Sequence, residues 1–315
     1  MFEAVMEDIR RAGTVILYRH KNPDGDALGS QIGLWSLIRE NFPEKTVYKV
    51  GDGAGRYAFM KESTMDEVPD EAFRGALAVV LDSGAPHLVT DERYRLAART
   101  ARIDHHLFCG RFCDDEVIDS SFESCAGMIA QMALEQGLRL TPLAAESLYT
   151  GIVTDSGRFR YDSVDARTLR RAAWLREIRF NTAAIYRNLY SDDLAALKRR
   201  SAFIDRIQLT EHGVAWVYTD AAGVEAMGLT PFDVSRGFVN CMADLAGVRV
   251  WVNFAEGPEG VLCELRADGV NVNPTAVKYG GGGHAAASGA IVPDREAAMA
   301  MLADLDTLAK ENEAS

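Results

Sequence analysis

Short apolar runs recur through the first half of the chain, each ended by a polar residue or a turn former. Thr14–Tyr18 is followed by Arg19-His20 and then by the chain breakers Pro23 and Gly25. Thr46–Val50, Ala76–Leu81 and Ala101–Ile103 have the same form. Runs this short, bounded by turn residues, predict buried strands. Between and after them, residues 27–40, 124–136 and 143–153 have helical character, and a further helix is predicted over Asp165–Arg179. Such alternation predicts an α/β domain with a mostly parallel sheet flanked by helices. Residues 183–206 read as a charged helical connector, with Ser191-Asp192-Asp193 as an N-cap. Beyond Ile207 the texture changes to strand-like runs at Val214–Tyr218, Val248–Phe254 and Gly260–Leu265. The expected division is a first domain over 1–185, a connector over 186–204 and a smaller domain over 205–315.

Composition narrows the function classes. The 315 residues can bury two sizeable cores, and 48% apolar with 25% charged residues is globular composition. No apolar run is long enough to span a bilayer, and Met1–Arg11 is a mixed-charge amphipathic stretch without a signal-peptide core. The five cysteines are odd in number and follow no disulfide framework, which points to a reducing cytoplasm; the pair Cys109 and Cys113 reads as incidental. A net charge of −12 leaves no basic footprint for long duplexes or for a membrane surface. The basic cluster in Arg167–Arg179 reads as a solvated helix face. Short oligonucleotides and mononucleotides remain compatible, because bound cations and a few arginines can supply the positive field.

The chemistry-bearing residues share one topological address. His20, Asp24 and Asp26 follow the first strand, and Asp82 follows Ala78–Leu81. Asp104, His105 and His106 follow Ala101–Ile103, and Asp155 ends a helical stretch before Ser156-Gly157. Open α/β sheets place ligands at the carboxyl ends of their strands. Taken singly, each residue has an ordinary reading as a cap, a turn former or a structural histidine. Together they supply enough carboxylate and imidazole groups for two divalent cations sharing a bridging carboxylate, a donor set suited to Mn²⁺. A cation pair of that kind activates water for attack on phosphorus.

The other strong signal is Gly280-Gly281-Gly282-Gly283-His284, running into small residues read as helical. Such a run lets backbone N–H groups approach an anion closely, helped by a helix N-terminus. No Lys-Ser/Thr follows, so it is not a P-loop. The spaced glycines Gly51, Gly53 and Gly55 read as a turn.

His20-x3-Asp24-x-Asp26, then Asp82, then Asp104-His105-His106, then Thr154-Asp155-Ser156-Gly157 resemble, in order, the four motifs of the DHH phosphoesterase superfamily. Gly280–His284 resembles the signature of the DHHA1 domain that follows in one branch of it. The resemblance implies a smaller α/β second domain with a cleft between the two. It implies two divalent cations, Mn²⁺ with Mg²⁺ or Co²⁺ as alternatives. His20, Asp24 and Asp82 would bind one; Asp26, Asp82, His105 and Asp155 would bind the other. His106 would face the substrate phosphate, and Asp104 would orient a ligand histidine. Glu264-Leu265-Arg266-Ala267 is similar to the family's Ser-x-Arg-Ser strand with both serines replaced. It implies Arg266, with Gly280, Gly281, Gly282, Gly283 and His284, as the grip on the nucleotide end; Arg158 is a further candidate. The compact two-domain form is most similar to the nanoRNase/pAp phosphatase group. That implies hydrolysis of very short RNA or DNA and of 3′-phosphoadenosine 5′-phosphate by a homodimeric enzyme. The alternatives are a soluble cyclic-dinucleotide phosphodiesterase, a RecJ-like exonuclease and a catalytically silent nucleotide sensor.

Overall fold

In the computed structural model, which describes residues 1–312, the chain forms two compact units, Met1–Ser191 and one beginning at Asp192. The first contains α1 (Glu3–Arg11), β1 (Thr14–Tyr18), α2 (Gly25–Asn41), β2 (Thr46–Lys49), α3 (Asp70–Phe73), β3 (Leu77–Leu81), β4 (Arg99–Asp104), β5 (Asp115–Ile118), α4 (Cys125–Glu135), α5 (Pro142–Asp155), α6 (Ala166–Leu175) and α7 (Thr182–Tyr190). Its five strands pair in parallel in the order β2-β1-β3-β4-β5. The β1 residues Val15 and Leu17 join the core with Leu34, Leu37 and Ile38 of α2, Met128 and Ile129 of α4, and Leu148 and Ile152 of α5. Alternate residues of the same strands, Ile16, Tyr18, Ala78 and Val80, pack on the other side with Phe73 of α3 and Tyr94. The period-two alternation of a strand thus serves two cores.

Two features were not foreseen. The amphipathic Met1–Arg11 stretch is a helix that buries Val5, Met6 and Ile9. The fifth strand, β5, lies in a segment too polar for an apolar run to mark it, because it is an edge strand with only Val117 buried. The basic cluster also needs correction. Arg171 is not solvated: it is buried, with Nη2 2.6 Å from Glu123 Oε2. Thr168 Oγ1 donates to the same carboxylate oxygen at 2.8 Å.

A ridge of glycines lets α2 and α5 approach closely. Gly25, Gly29 and Gly33 recur every four residues, on one helix face. A Cβ on Gly29 would lie 2.6 Å from the Ser147 carbonyl oxygen and 3.0 Å from the Gly151 backbone. One on Gly33 would lie 2.4 Å from the Leu148 side chain. Because the obstacle at Gly29 is backbone, it cannot rotate away. Gly29→Ala is therefore expected to destabilise the protein by about 1–3 kcal/mol through overpacking. The melting temperature should fall by roughly 2–10 °C in a circular dichroism melt. A raised melting temperature, as helix propensity alone predicts, would contradict the ridge argument.

The second unit contains α8 (Leu194–Ile204), β6 (Gln208–Leu209), β7 (Ala215–Thr219), α9 (Ala221–Met227), α10 (Pro231–Phe238), β8 (Val250–Gly257), β9 (Gly260–Ala267), α11 (Asn273–Lys278), β10 (Gly282–His284), β11 (Ala287–Val292) and α12 (Arg295–Asn312). Asp193 caps α8, accepting from the Ala196 amide. Its sheet runs β10-β11-β9-β8-β7-β6, antiparallel except for the β7–β8 pair. Val261, Cys263 and Leu265 of β9 pack with Met301, Leu302 and Leu305 of α12, so Glu264 and Arg266 point to the opposite face. The glycine run is not followed by a helix. Gly282–His284 is a strand paired antiparallel with β11, because Gly281 and Gly283 lie against it where side chains would collide. A Cβ on Gly281 would sit 2.1 Å from the Gly289 carbonyl oxygen. These glycines serve strand packing as well as any ligand.

Candidate metal centre

The sheet order puts β2 on one side of β1 and β3 on the other, so the chain leaves neighbouring strands in opposite directions at their carboxyl ends. That switch point is where open α/β sheets form ligand sites. His20 follows β1, Asp82 follows β3, and His105 and His106 follow Asp104 at the end of β4. Asp24 is the N-cap of α2; its Oδ1 accepts from the Asp26 and Ala27 amides at 2.9 Å each. Asp26, one residue into the helix, is fully buried. Its carboxylate accepts from the Cys125 and Ala126 amides at the start of α4, at 2.7 and 2.8 Å. A helix N-terminus is a favourable place for a negative charge. Asp155 is the last residue of α5, where the helix dipole opposes a carboxylate.

Asp82 lies at the centre of this group. It is 2% exposed and has φ +48°, a left-handed conformation that costs a non-glycine residue energy and is concentrated at functional sites. Its Oδ2 is 3.5 Å from His20 Nε2, and its Oδ1 is 3.4 Å from His105 Nε2. Each oxygen thus faces a different imidazole. His20 Nε2 is also 3.8 Å from Asp24 Oδ1. His105 Nε2 is 3.2 Å from Asp155 Oδ2 and 3.8 Å from Asp26 Oδ2. The ligand atoms of His20, Asp24 and Asp82 lie within 4.8 Å of one another, as do those of Asp26, His105 and Asp155 and those of Asp82, His105 and His106. His20 Nδ1 pairs with the Lys21 carbonyl oxygen at 2.7 Å, which leaves Nε2 facing Asp82. Buried Asp82 Oδ1 has no hydrogen-bond partner. An orphaned carboxylate oxygen among further carboxylates and imidazoles fits a divalent cation.

Titration follows from this crowding. Burial, then the charges of Asp82 and Asp155, raise Asp26 well above the usual carboxylate range. Burial and then Asp82 raise Asp155 to about 7. Burial would also raise Asp82, but the facing His105 and His20 rings hold it below the usual range. Burial would depress both rings, yet their carboxylate partners raise His20 to about 11 and His105 to about 10. Positive charge is in demand here. Without cations, protons supply it.

His106 is placed differently. It is half exposed, and its Nδ1 lies 2.7 Å from Asp104 Oδ1, the contact that does most to raise its pKa. The hydrogen bond of Asp104 therefore goes to His106, not to His105, whose Nδ1 faces the Phe122 carbonyl oxygen at 3.4 Å. The other Asp104 oxygen is 2.5 Å from fully buried Arg102, itself stacked over Phe112 at 4.5 Å. The residues missed by sequence are those that hold Asp26 and Asp104: the α4 amides and Arg102. Ser124, which caps α4 just before its small residues, was the available signal for the amides.

Arg158 is exposed and stacks over Tyr190 at 4.5 Å. In the second unit, Arg266 is engaged by a carboxylate, with Nη2 2.6 Å from Glu264 Oε1. Gly280 and Gly281 line a groove of about 430 Å³ with Phe232, Ser235, Glu264 and Gly289. His284 is exposed at the end of β10.

The chain belongs to the DHH/DHHA1 phosphoesterases. Residues 14–152 match the DHH family, N-terminal domain, and residues 224–311 match the DHHA1 domain. It is 36% identical over 303 residues to the bifunctional oligoribonuclease and PAP phosphatase NrnA of Bacillus subtilis, covering 95% of this chain and 96% of that protein. It is 32% identical over 290 residues to the probable bifunctional oligoribonuclease and PAP phosphatase NrnA of Streptococcus mutans, covering 92% and 93%. An exopolyphosphatase-related protein from Bacteroides fragilis has the same fold, with a TM-score of 0.87 at 23% identity, covering 98% of this chain and 97% of that one. The five cysteines are free, and no helix among the described residues is long and apolar enough to cross a membrane.

Proposed function

We propose that this chain is a cytoplasmic phosphoesterase that hydrolyses very short oligonucleotides to mononucleotides and 3′-phosphoadenosine 5′-phosphate to AMP. The observation that carries the reading is Asp82, whose two oxygens face His105 at 3.4 Å and His20 at 3.5 Å. The names of the two curated relatives support the substrate class. His20, Asp24 and Asp82 would hold one divalent cation, and Asp26, Asp82, His105 and Asp155 the other, with Mn²⁺ suited to this donor set. When bound, such a pair would make water nucleophilic at neutral pH and neutralise phosphoryl oxygens.

The protein groups do the rest. The Lys21 carbonyl fixes the ring of His20, and the α4 amides fix Asp26. Asp104 holds Nδ1 of His106, so that Nε2 can donate to a non-bridging phosphate oxygen as charge develops there. In the second unit, Arg266 and His284, with the Gly280–Gly283 backbone, would take the nucleotide's terminal phosphate. Glu264 holds the Arg266 guanidinium in place for a bidentate contact. Asp104→Asn is expected to lower kcat by about 10- to 100-fold, as loss of an orienting partner does. Bound metal, measured by elemental analysis, should be unchanged. A lost metal complement would instead make Asp104 part of the metal site.

The functional test is a turnover panel with Mn²⁺: a 5′-phosphorylated RNA dinucleotide, 3′-phosphoadenosine 5′-phosphate, a long RNA, cyclic di-AMP and pyrophosphate. The reading predicts fastest mononucleotide release from the dinucleotide, together with AMP release from the bisphosphate. Turnover chiefly of cyclic di-AMP, long RNA or pyrophosphate would overturn it.

A further inference from the structure

The loop after β2, with Gly51, Gly53 and Gly55, leads into Arg56-Tyr57. The Arg56 guanidinium lies over the Tyr57 ring, 5.0 Å from its centroid, and Nη2 reaches the Leu189 carbonyl oxygen at 3.5 Å. The residue after Leu189 is Tyr190, the last of α7, which is 38% exposed and stacked beneath Arg158 at 4.5 Å. Tyr186, one helical turn earlier, has its ring 6.0 Å from that of Tyr190. Two arginine–tyrosine stacks, built from three separate segments, thus meet on the first unit.

Their position bears on the metal centre. Arg158 follows Asp155 by three residues, across a turn in which Arg158 and Phe159 both adopt left-handed φ, 64° and 63°. Tyr57 packs against an apolar cluster that includes Leu28 and Ile32 of α2, the helix whose first turn carries Asp24 and Asp26. Among the described residues neither Arg56 nor Arg158 is paired with a carboxylate, in a chain whose net charge is −12. An exposed tyrosine ring, a half-buried one and guanidinium planes without carboxylate partners, beside a phosphoester-cleaving centre, have one obvious class of ligand.

We propose that Arg56, Tyr57, Arg158 and Tyr190 form a nucleobase-stacking subsite on the metal-binding unit, which takes the base of a nucleotide joined to the scissile phosphate. This deepens the oligonucleotide reading above and rests on it. Phenol rings and guanidinium planes stack on any base, so the subsite is base-tolerant, as suits an enzyme that clears mixed short fragments. The guanidinium groups also offset phosphate charge.

The test compares KM for a 5′-phosphorylated RNA dinucleotide with KM for the two dinucleotides lacking one base or the other. Tyr190→Ala is expected to raise KM on the complete dinucleotide by about 5- to 100-fold, the range for loss of one base stack. Tyr190→Phe should restore it, because a phenyl ring stacks as a phenol does. Arg158→Met, a surface change that the fold tolerates, should show the same base-dependent penalty. On one of the two abasic dinucleotides, wild type and variants should have the same KM. Equal KM values on the complete dinucleotide, or an equal penalty on all three substrates, would overturn the subsite. A wild-type enzyme that leaves the dinucleotide intact would overturn the functional reading itself.

Discussion

Asp82→Asn is expected to reduce dinucleotide turnover by about 10³-fold or more, since a cation pair contributes several kcal/mol of charge stabilisation and each 1.36 kcal/mol is tenfold. Asparagine is the informative replacement. It tolerates the left-handed φ of +48° at this position, where alanine adds strain. It has almost the shape of aspartate, yet its amide nitrogen can only donate, so it can no longer present two acceptor oxygens to the two imidazoles. Loss of the proposed bridging ligand should therefore appear as lost kcat and lost metal, with far-UV circular dichroism unchanged. A variant with more than a tenth of wild-type kcat would show that Asp82 does not join the two halves of the centre.

Metal binding is expected to expel protons, and the sign follows from the raised pKa values. In the metal-free protein His20 titrates at about 11 and His105 at about 10, so at neutral pH both rings hold protons against their carboxylates. A ring nitrogen that accepts a cation must give its proton up. Affinity should therefore fall as pH falls, by about tenfold per pH unit for each proton released. Asp155, at about 7, adds to the slope only as pH drops towards and below that value. Calorimetric titration of Mn²⁺ in buffers of different ionisation enthalpy measures the number directly. Heats that vary with the buffer and report about two protons or more near pH 8 are expected, the raised Asp26 adding to the two rings. Heats independent of the buffer would mean that neither ring is a ligand.

The strand-end residues were legible in the sequence for a simple reason. His20, Asp82 and Asp104 each follow a short apolar run, and the strand period with its turn residues is a local signal. The predicted β1 coincides with Thr14–Tyr18, and Asp155 ends its helix as expected. What could not be read is long-range. Asp26 is held by amides about a hundred positions away, at Cys125 and Ala126. Arg171 reads as surface until α6 packs it against Glu123. The Gly280–Gly283 run reads as the entry to a helix because glycine sets no period of its own; its pairing with β11 decides the matter. Gly29 and Gly33 read as ordinary helix residues, and Gly25 as a chain breaker, until α5 lies against all three. Arg56-Tyr57 and Tyr190 lie in loop and helix-end contexts with no pattern between them, and only the fold joins them.

The central claim is that one carboxylate is shared between two cations. Electron paramagnetic resonance of Mn²⁺ titrated into the metal-free protein tests it most directly. The account predicts two ions per chain, with the isolated-ion spectrum giving way to an exchange-coupled one as the second ion binds, and no coupling in Asp82→Asn. A single ion per chain, or two ions that stay uncoupled in the wild-type protein, would contradict it.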